Sequence, residues 1–241
     1  MIWYLDHSAI AVETNNHLLL FDLFGKTLQP PKGMGLAQGF VNPDELRDKD
    51  VVIFVSHEHP DHFDPAIFSL RDRLKRVRFV LPEEFDEIYQ GDLFAAPNQT
   101  YRLPDMTVTT FESTDIGLAY LVEVDDKRIY HAGDLNWWHW EGENSPKENK
   151  YAEDKFKSGI DRIKGRDIDL AFVPLDPRQG DFYYLGFDYF MRNTNTKIAF
   201  PMHMWGDFSI CDTFINSKYA VNYKDKIVKI SNDNESFNVE L

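Results

Sequence analysis

Within six positions the stretch His57-Glu58-His59-Pro60-Asp61-His62 gathers three imidazoles and an aspartate in the pattern His-x-His-x-Asp-His. Imidazole nitrogens and carboxylate oxygens are the ligand set of zinc and its neighbours. A lone histidine is ordinarily a satisfied core or surface residue, but this many ligand types at this spacing are not readily read that way. Such ligands hold a cation without filling its shell, so water keeps a place beside it. The cation then lowers the pKa of that water towards neutrality and polarises a substrate oxygen, which is the chemistry of hydrolysis. No separate serine or cysteine nucleophile is needed, and none is signposted.

The elements that must position this loop can be read around it. Val51 to Val55 is a short continuous apolar run, the pattern of a strand buried on both faces, and the motif lies in the loop at its end. Upstream, strands over Ile10–Val12 and Leu18–Phe21 flank turn residues Asn15-Asn16. The stretch from Gly25 to Phe40, with Pro30-Pro31 and glycines at 33, 35 and 39, is a loop: either a plain surface connection or a flap. Asn42-Pro43-Asp44-Glu45 starts a helix, and Asp64-Pro65 and Pro82-Glu83 start two more on either side of a strand over Val77–Leu81. Strands follow over Met106–Phe111, Leu118–Val124 and Arg128–His131, the last two joined at Asp125-Asp126. Beyond them come an amphipathic helix over Ala152–Gly165, a strand over Leu170–Val173, a helix over Phe182–Arg192, a strand over Ile198–Phe200 and a helix over Asp207–Lys218. Ile227–Ile230 and Phe237–Leu241 close the chain as an antiparallel pair. No repeat, low-complexity tract or linker interrupts this order, so residues 1–241 are read as one domain.

At these residues the chain resembles the metallo-β-lactamase fold superfamily of metal-dependent hydrolases. Further pieces fall in the order of that family: His7-Ser8 at the opening of a strand, Leu18 to Phe21 ending in Asp22, Ile129 to His131 leading through Ala132-Gly133 to Asp134, and Phe200-Pro201-Met202-His203. The resemblance implies a mixed α/β, four-layer αββα sandwich with metals at one edge of the sheets. It makes His57 and His59 ligands of a first metal, Asp61, His62 and His203 ligands of a second, and Asp134 the bridge between them. Asp22 would brace the metal loop from behind. One piece departs from the family: where it supplies a further histidine, this chain has Phe111-Glu112-Ser113-Thr114-Asp115. Ser113 takes the histidine's place and Asp115 is the nearest good ligand. Either two metals bind with an altered first site, or one binds tightly and the other loosely.

Trp137, Trp138, Trp140 and Trp205 lie close in sequence to these expected ligands. Tryptophans in a cluster are more often core, yet these are interleaved with His139 and followed by polar sequence, so some are expected to form an apolar substrate wall. His139 is expected to bond or line that wall, and His131 to bond neighbouring backbone. Arg178 either binds an anionic group of the substrate or pairs with a surface carboxylate.

Composition narrows the partners. With 26 Lys and Arg against 40 Asp and Glu, the formal net charge of -14 opposes nucleic acid as a partner, because such binding draws its affinity from basic contacts to phosphate. A single cysteine, Cys211, rules out an intramolecular disulfide and a cysteine-built zinc site. No apolar stretch is long enough to span a bilayer, and Met1 to Asp6 lacks the character of a secretion signal, so a cytoplasmic protein with no membrane partner is expected. Oligomeric state is not legible.

The leading expectation is a hydrolase that uses a metal-bound hydroxide on a small or medium ester, lactone, amide or phosphodiester. Asp134 would bridge and orient the nucleophile, and Asp61 would move a proton as well as ligate. One or two divalent ions are expected, zinc first, with manganese or iron as alternatives. The competing readings are a metal-binding member that has lost catalysis with its missing histidine, a nuclease, and a diiron redox centre. The last is weakened because His59 stands where the flavodiiron relatives carry glutamate.

Overall fold

Short apolar strands alternating with polar turns build two mixed sheets, each inside its own compact unit. A computed structural model describes residues 1–239. One unit is Met1–Gln99 joined by the segment from Asn232, and the other is Thr100–Ser231. Among the described residues no helix is long and apolar enough to cross a membrane.

The first unit runs β1 (Ile2–Asp6), β2 (Ala9–Glu13), β3 (Leu18–Phe21), α1 (Pro43–Leu46), β4 (Asp50–Phe54), β5 (Arg76–Pro82) and β6 (Leu93–Ala95). Its seven-stranded sheet has a short closing strand, Glu235–Phe237, at one edge, followed in order by β1 to β6. β3 to β6 are parallel. Parallel strands are covered on both faces, and accordingly every residue of β3 and every apolar residue of β4 is buried. Phe21 of β3 pairs with Phe54 of β4. Asp22 and the Val55-Ser56-His57 segment therefore leave the sheet side by side at its carboxyl edge, the place where ligands gather in open α/β sheets.

One face of this sheet carries Leu20, Ile53, Phe79 and Leu81 into a core shared with Leu36, Leu46, Ile67 and Phe85. The loop from Gly25 to Phe40 is tied into that core. It holds two 3₁₀ turns, Gly25–Leu28 and Leu36–Gln38, with Leu36 buried, and the Leu36 N–H donates to Glu45 Oε2 at 3.0 Å. Asn42 and Asp64 cap the segments after them as their sequence predicts, each accepting from the N–H two residues on. The segments Pro65–Asp72 and Glu83–Phe85 are 3₁₀ rather than α-helical.

The second unit runs β7 (Thr100–Arg102), β8 (Met106–Glu112), β9 (Leu118–Val124), β10 (Lys127–His131), α2 (Pro146–Asp161), β11 (Asp167–Pro174), α3 (Leu185–Asn193), β12 (Asn195–Met202) and α4 (Ser209–Ile215). Its sheet order is β12-β11-β10-β9-β8-β7, with β10, β11 and β12 parallel. Phe172 of β11 pairs with both His131 and Phe200, so Asp134, Asp176 and His203 follow three adjacent strands off the same edge. The β9–β10 hairpin turns at Asp125-Asp126 with φ of 49° and 60°, the left-handed pair that a two-residue hairpin favours.

Two expected elements are displaced. α2 begins at Pro146, not Ala152, because Ser145 and Glu148 form a capping box around a proline in the first turn. Among the described residues the expected final antiparallel pair does not form. Of the Ile227–Ile230 run, Ile227 makes an isolated bridge to Ala199, and the closing strand Glu235–Phe237 pairs with β1 instead. Residues 240 and 241 of the expected last strand lie outside the described residues.

Tyr130 of β10 is fully buried and stacks on Phe190 at 4.9 Å, and its hydroxyl has no hydrogen-bond partner among the described residues. Burial pushes the phenol pKa far above its ordinary value, so the group stays neutral. A buried hydroxyl that bonds nothing is a net cost. Tyr130→Phe is therefore expected to stabilise the protein by about 1 kcal/mol, read as a rise in Tm. A fall would mean that the hydroxyl bonds in solution.

Candidate metal-binding residues

In the first unit the His57–His62 loop is locked to the sheet by Asp22. Ser56 donates its N–H to Asp22 Oδ1 and its hydroxyl to Oδ2, each at 2.7 Å, and His62 Nδ1 lies 2.7 Å from the same Oδ2. Asp22 is buried and holds a left-handed backbone with φ of 47°. A carboxylate only accepts, so His62 must carry its proton on Nδ1 and turn the lone pair of Nε2 away from Asp22. His57 Nε2 lies 3.0 Å from His59 Nδ1, and Ser56 Oγ lies 2.9 Å from His57 Nδ1.

His7, which sequence reasoning placed only at a strand opening, joins this cluster. It sits in the β1–β2 turn with φ of 35°, and its Nε2 lies 3.4 Å from Asp61 Oδ2. Ser8 Oγ donates to the Asp61 carbonyl at 2.9 Å. One donor atom from each of His7, Asp61 and His62 falls within 4.8 Å of the other two. Burial opposes ionisation of Asp61, but the His7 hydrogen bond, with the His62 imidazole nearby, outweighs it and holds the carboxyl well below the usual range. The signal that would have found His7 is a histidine in the tight turn between two apolar strands.

In the second unit the same device recurs with different residues. His203, buried with φ of 65°, places Nδ1 at 2.9 Å from Asp176 Oδ2. Asp176 is buried, yet His203 and Arg178 hold its carboxyl at a pKa of about 2. His203 Nε2 then faces Asp134 Oδ1 at 3.3 Å. Asp134 is fixed by its backbone: Trp138 Nε1 donates to its carbonyl at 3.0 Å.

A pocket of about 430 Å³ opens in this unit, lined by Asp134, Asp115, Trp138, Trp140 and Arg178 among others. Trp138 and Trp140 lie parallel, 5.8 Å between ring centres. Trp137 packs elsewhere, against Phe156 and Tyr189 with Lys157 over its ring, and Trp205 is half exposed beneath the Arg178 guanidinium. Asp115 is exposed and donates its N–H to the buried Ser113 hydroxyl at 3.3 Å. His139 stacks on Phe182 at 3.9 Å and bonds Glu141, while His131 accepts from the Gly133 N–H.

The chemistry of these donors can be tested against a cation. With Nδ1 protonated towards a carboxylate, a neutral His203 points a lone pair at the Asp134 oxygen, acceptor against acceptor at 3.3 Å. Two facing acceptors need a positive charge between them, a proton or a metal. A histidine whose far nitrogen is held by a carboxylate is also the usual form of a metal-ligating histidine. The residues present fit a divalent ion.

No family model matches the chain. A metal-dependent hydrolase of Symbiobacterium thermophilum, grouped as UPF0173, is 25% identical over 232 residues, covering 87% of this chain and 85% of that protein. Igni18, a metallo hydrolase of the archaeon Ignicoccus hospitalis, aligns with a TM-score of 0.60 at 17% identity, over 96% of this chain and 95% of its own. YhfI of Bacillus subtilis, a metallo-β-lactamase fold protein, gives a TM-score of 0.59 at 13% identity, over 95% and 89%. The chain has the metallo-β-lactamase fold.

Proposed function

We propose that the protein is a metal-dependent hydrolase whose candidate ligands for one or two divalent ions are His57, His59, Asp61 and His62 in the first unit and Asp134 and His203 in the second. The observation that carries this reading is the repeated carboxylate–histidine pair: Asp22 with His62 and Asp176 with His203, each at a sheet's carboxyl edge. The name of the Symbiobacterium relative agrees with it. His7, bonded to Asp61, is added to the candidate set.

A bound divalent ion would supply Lewis acidity, bringing the pKa of a bound water towards neutrality. The chain's own residues do the rest. Asp22 and Asp176 fix the tautomer and ring plane of His62 and His203, so that Nε2 is the ligating atom. Asp61 stays ionised and lies between two imidazoles, so it can ligate or accept a proton. Trp138 and Trp140 give the substrate an apolar wall. We assign zinc as the first candidate ion, a small or medium ester, lactone, amide or phosphodiester as substrate class, and the cytoplasm as location. The acidic balance keeps nucleic acid out of the partner list.

The test is elemental analysis of the purified protein with an activity screen on generic esters, lactones and phosphodiesters before and after chelation. Bound zinc, manganese or iron and turnover that chelation abolishes are expected. Full turnover by metal-free protein would overturn the reading. Metal retained with no turnover on any class would favour a binding protein that has lost catalysis.

A further inference from the structure

The Arg178 side chain has a fixed direction and spare donors. Its Nε donates to both oxygens of Asp176 at 3.0 Å, its Nη2 donates to Oδ2 at 2.6 Å, and its backbone N–H donates to Oδ1 at 2.9 Å. Asp176 is fully buried, so this clamp is shielded from competing water. The guanidinium plane is further held over the Trp205 ring at 4.3 Å, with the Trp140 ring 5.6 Å away. Nη1 takes no part in the Asp176 fork, and the side chain is 46% exposed where it lines the pocket.

A surface ion pair would leave Arg178 mobile and its partner wet; this one is anchored to a buried carboxylate and aimed. Because the fork is rigid, little side-chain entropy is lost when Nη1 binds something more. The opposite wall agrees. Glu148, Tyr151 and Ala152 place the first turns of α2 on the pocket, the end of a 16-residue helix where the backbone dipole is positive. Glu148, the carboxylate there, is engaged by the Ser145 N–H at 2.8 Å in the capping box, and Asp115 is exposed and solvent-screened.

Resting on the hydrolase reading for the site's purpose but not for its chemistry, we propose that Arg178 reads the charge of the substrate. The pocket takes a molecule with an anionic group, carboxylate or phosphate, bound at Nη1, and an apolar or planar part laid on Trp138 and Trp140. Arg178 is then a specificity-determining residue, and through Asp176 it shares a carboxylate with His203.

Binding can be followed by quenching of tryptophan fluorescence, using four probes that share a benzene ring: phenylacetate, phenyl phosphate, neutral phenylacetamide and cationic phenethylammonium. Each is titrated into wild type, Arg178→Gln and Arg178→Lys, with and without chelator. In wild type the anions are expected to bind about tenfold tighter than the amide, the usual scale of one charge-assisted bond, and the tighter anion names the group. Arg178→Gln should erase that preference, while Arg178→Lys should keep part of it, showing that a cation and not merely a folded loop is required. The proposal fails if the amide or the ammonium probe binds as tightly as the anions. It fails equally if Arg178→Gln keeps the preference and chelation removes it. Absence of metal or turnover would sink the hydrolase reading and leave these binding ratios standing, so the two failures are separable.

Discussion

Asp134→Ala should fold, lose most of its bound metal, and lose turnover by about a hundredfold or more, since even residues behind a metal ligand cost ten- to a hundredfold when removed. The sign of its stability change discriminates between readings. If Asp134 and His203 were a structural ion pair, deleting the carboxylate would leave a buried charge without its partner and cost about 3 kcal/mol under all conditions. If they are ligands, the chelated wild type keeps the two acceptors at 3.3 Å only by taking up a proton between them, and removing one lifts that requirement at little cost. A ligand bound to the folded state alone adds stability by mass action, about 4 kcal/mol at a thousandfold excess over its Kd. The expected result is a clear gap in Tm between metal-loaded and chelated wild type that closes in Asp134→Ala, with the chelated forms matching. A variant that melts well below wild type in chelator would return the pair to a structural role.

How far the sequence reveals this molecule depends on the distance over which each contact acts. The His57–His62 loop is legible because its residues lie in one turn after one apolar strand. Asp22 and Asp134 could be placed because each ends a strand of the resembling order. His7 could not be assigned as a partner of Asp61, since only the turn between β1 and β2 brings it back to a residue 54 positions later. Asp176 carries no local mark of its role, because nothing near it in sequence shows that its neighbour strand ends in His203. The strands β6 and β7, three residues each, are too short for any periodicity to show. The Ile227–Ile230 run has strand composition, but only Ile227 bridges, to Ala199, while Glu235–Phe237 pairs with β1. Among the tryptophans, only packing separates Trp137, against α2 and α3, from Trp138 and Trp140 in the pocket. Long-range register, which composition does not carry, accounts for most of these differences.

Asp22→Asn changes one atom and should nevertheless lower metal affinity ten- to a hundredfold, the range for residues that orient a ligand. Asn tolerates the left-handed backbone that Asp22 adopts at φ of 47°, and its carbonyl oxygen can still accept the Ser56 N–H as Oδ1 does now. What it cannot do is accept at the second position: the amide there donates towards both Ser56 Oγ and His62 Nδ1. His62 must then move its proton to Nε2 to offer Nδ1 as acceptor, which removes the lone pair that would bind a metal. Nitrogen NMR of labelled protein reads this directly, as an exchange of the protonated and unprotonated ring positions of His62 in the chelated state, while competition with a chelating dye reads the affinity. Asp22→Ala serves as the contrast, because it deletes the acceptor for a buried backbone N–H and adds a strained φ, so stability falls along with affinity. Loss of affinity with an unchanged tautomer would mean that Asp22 only holds the loop in place; an inverted tautomer with full affinity would remove His62 from the ligand set.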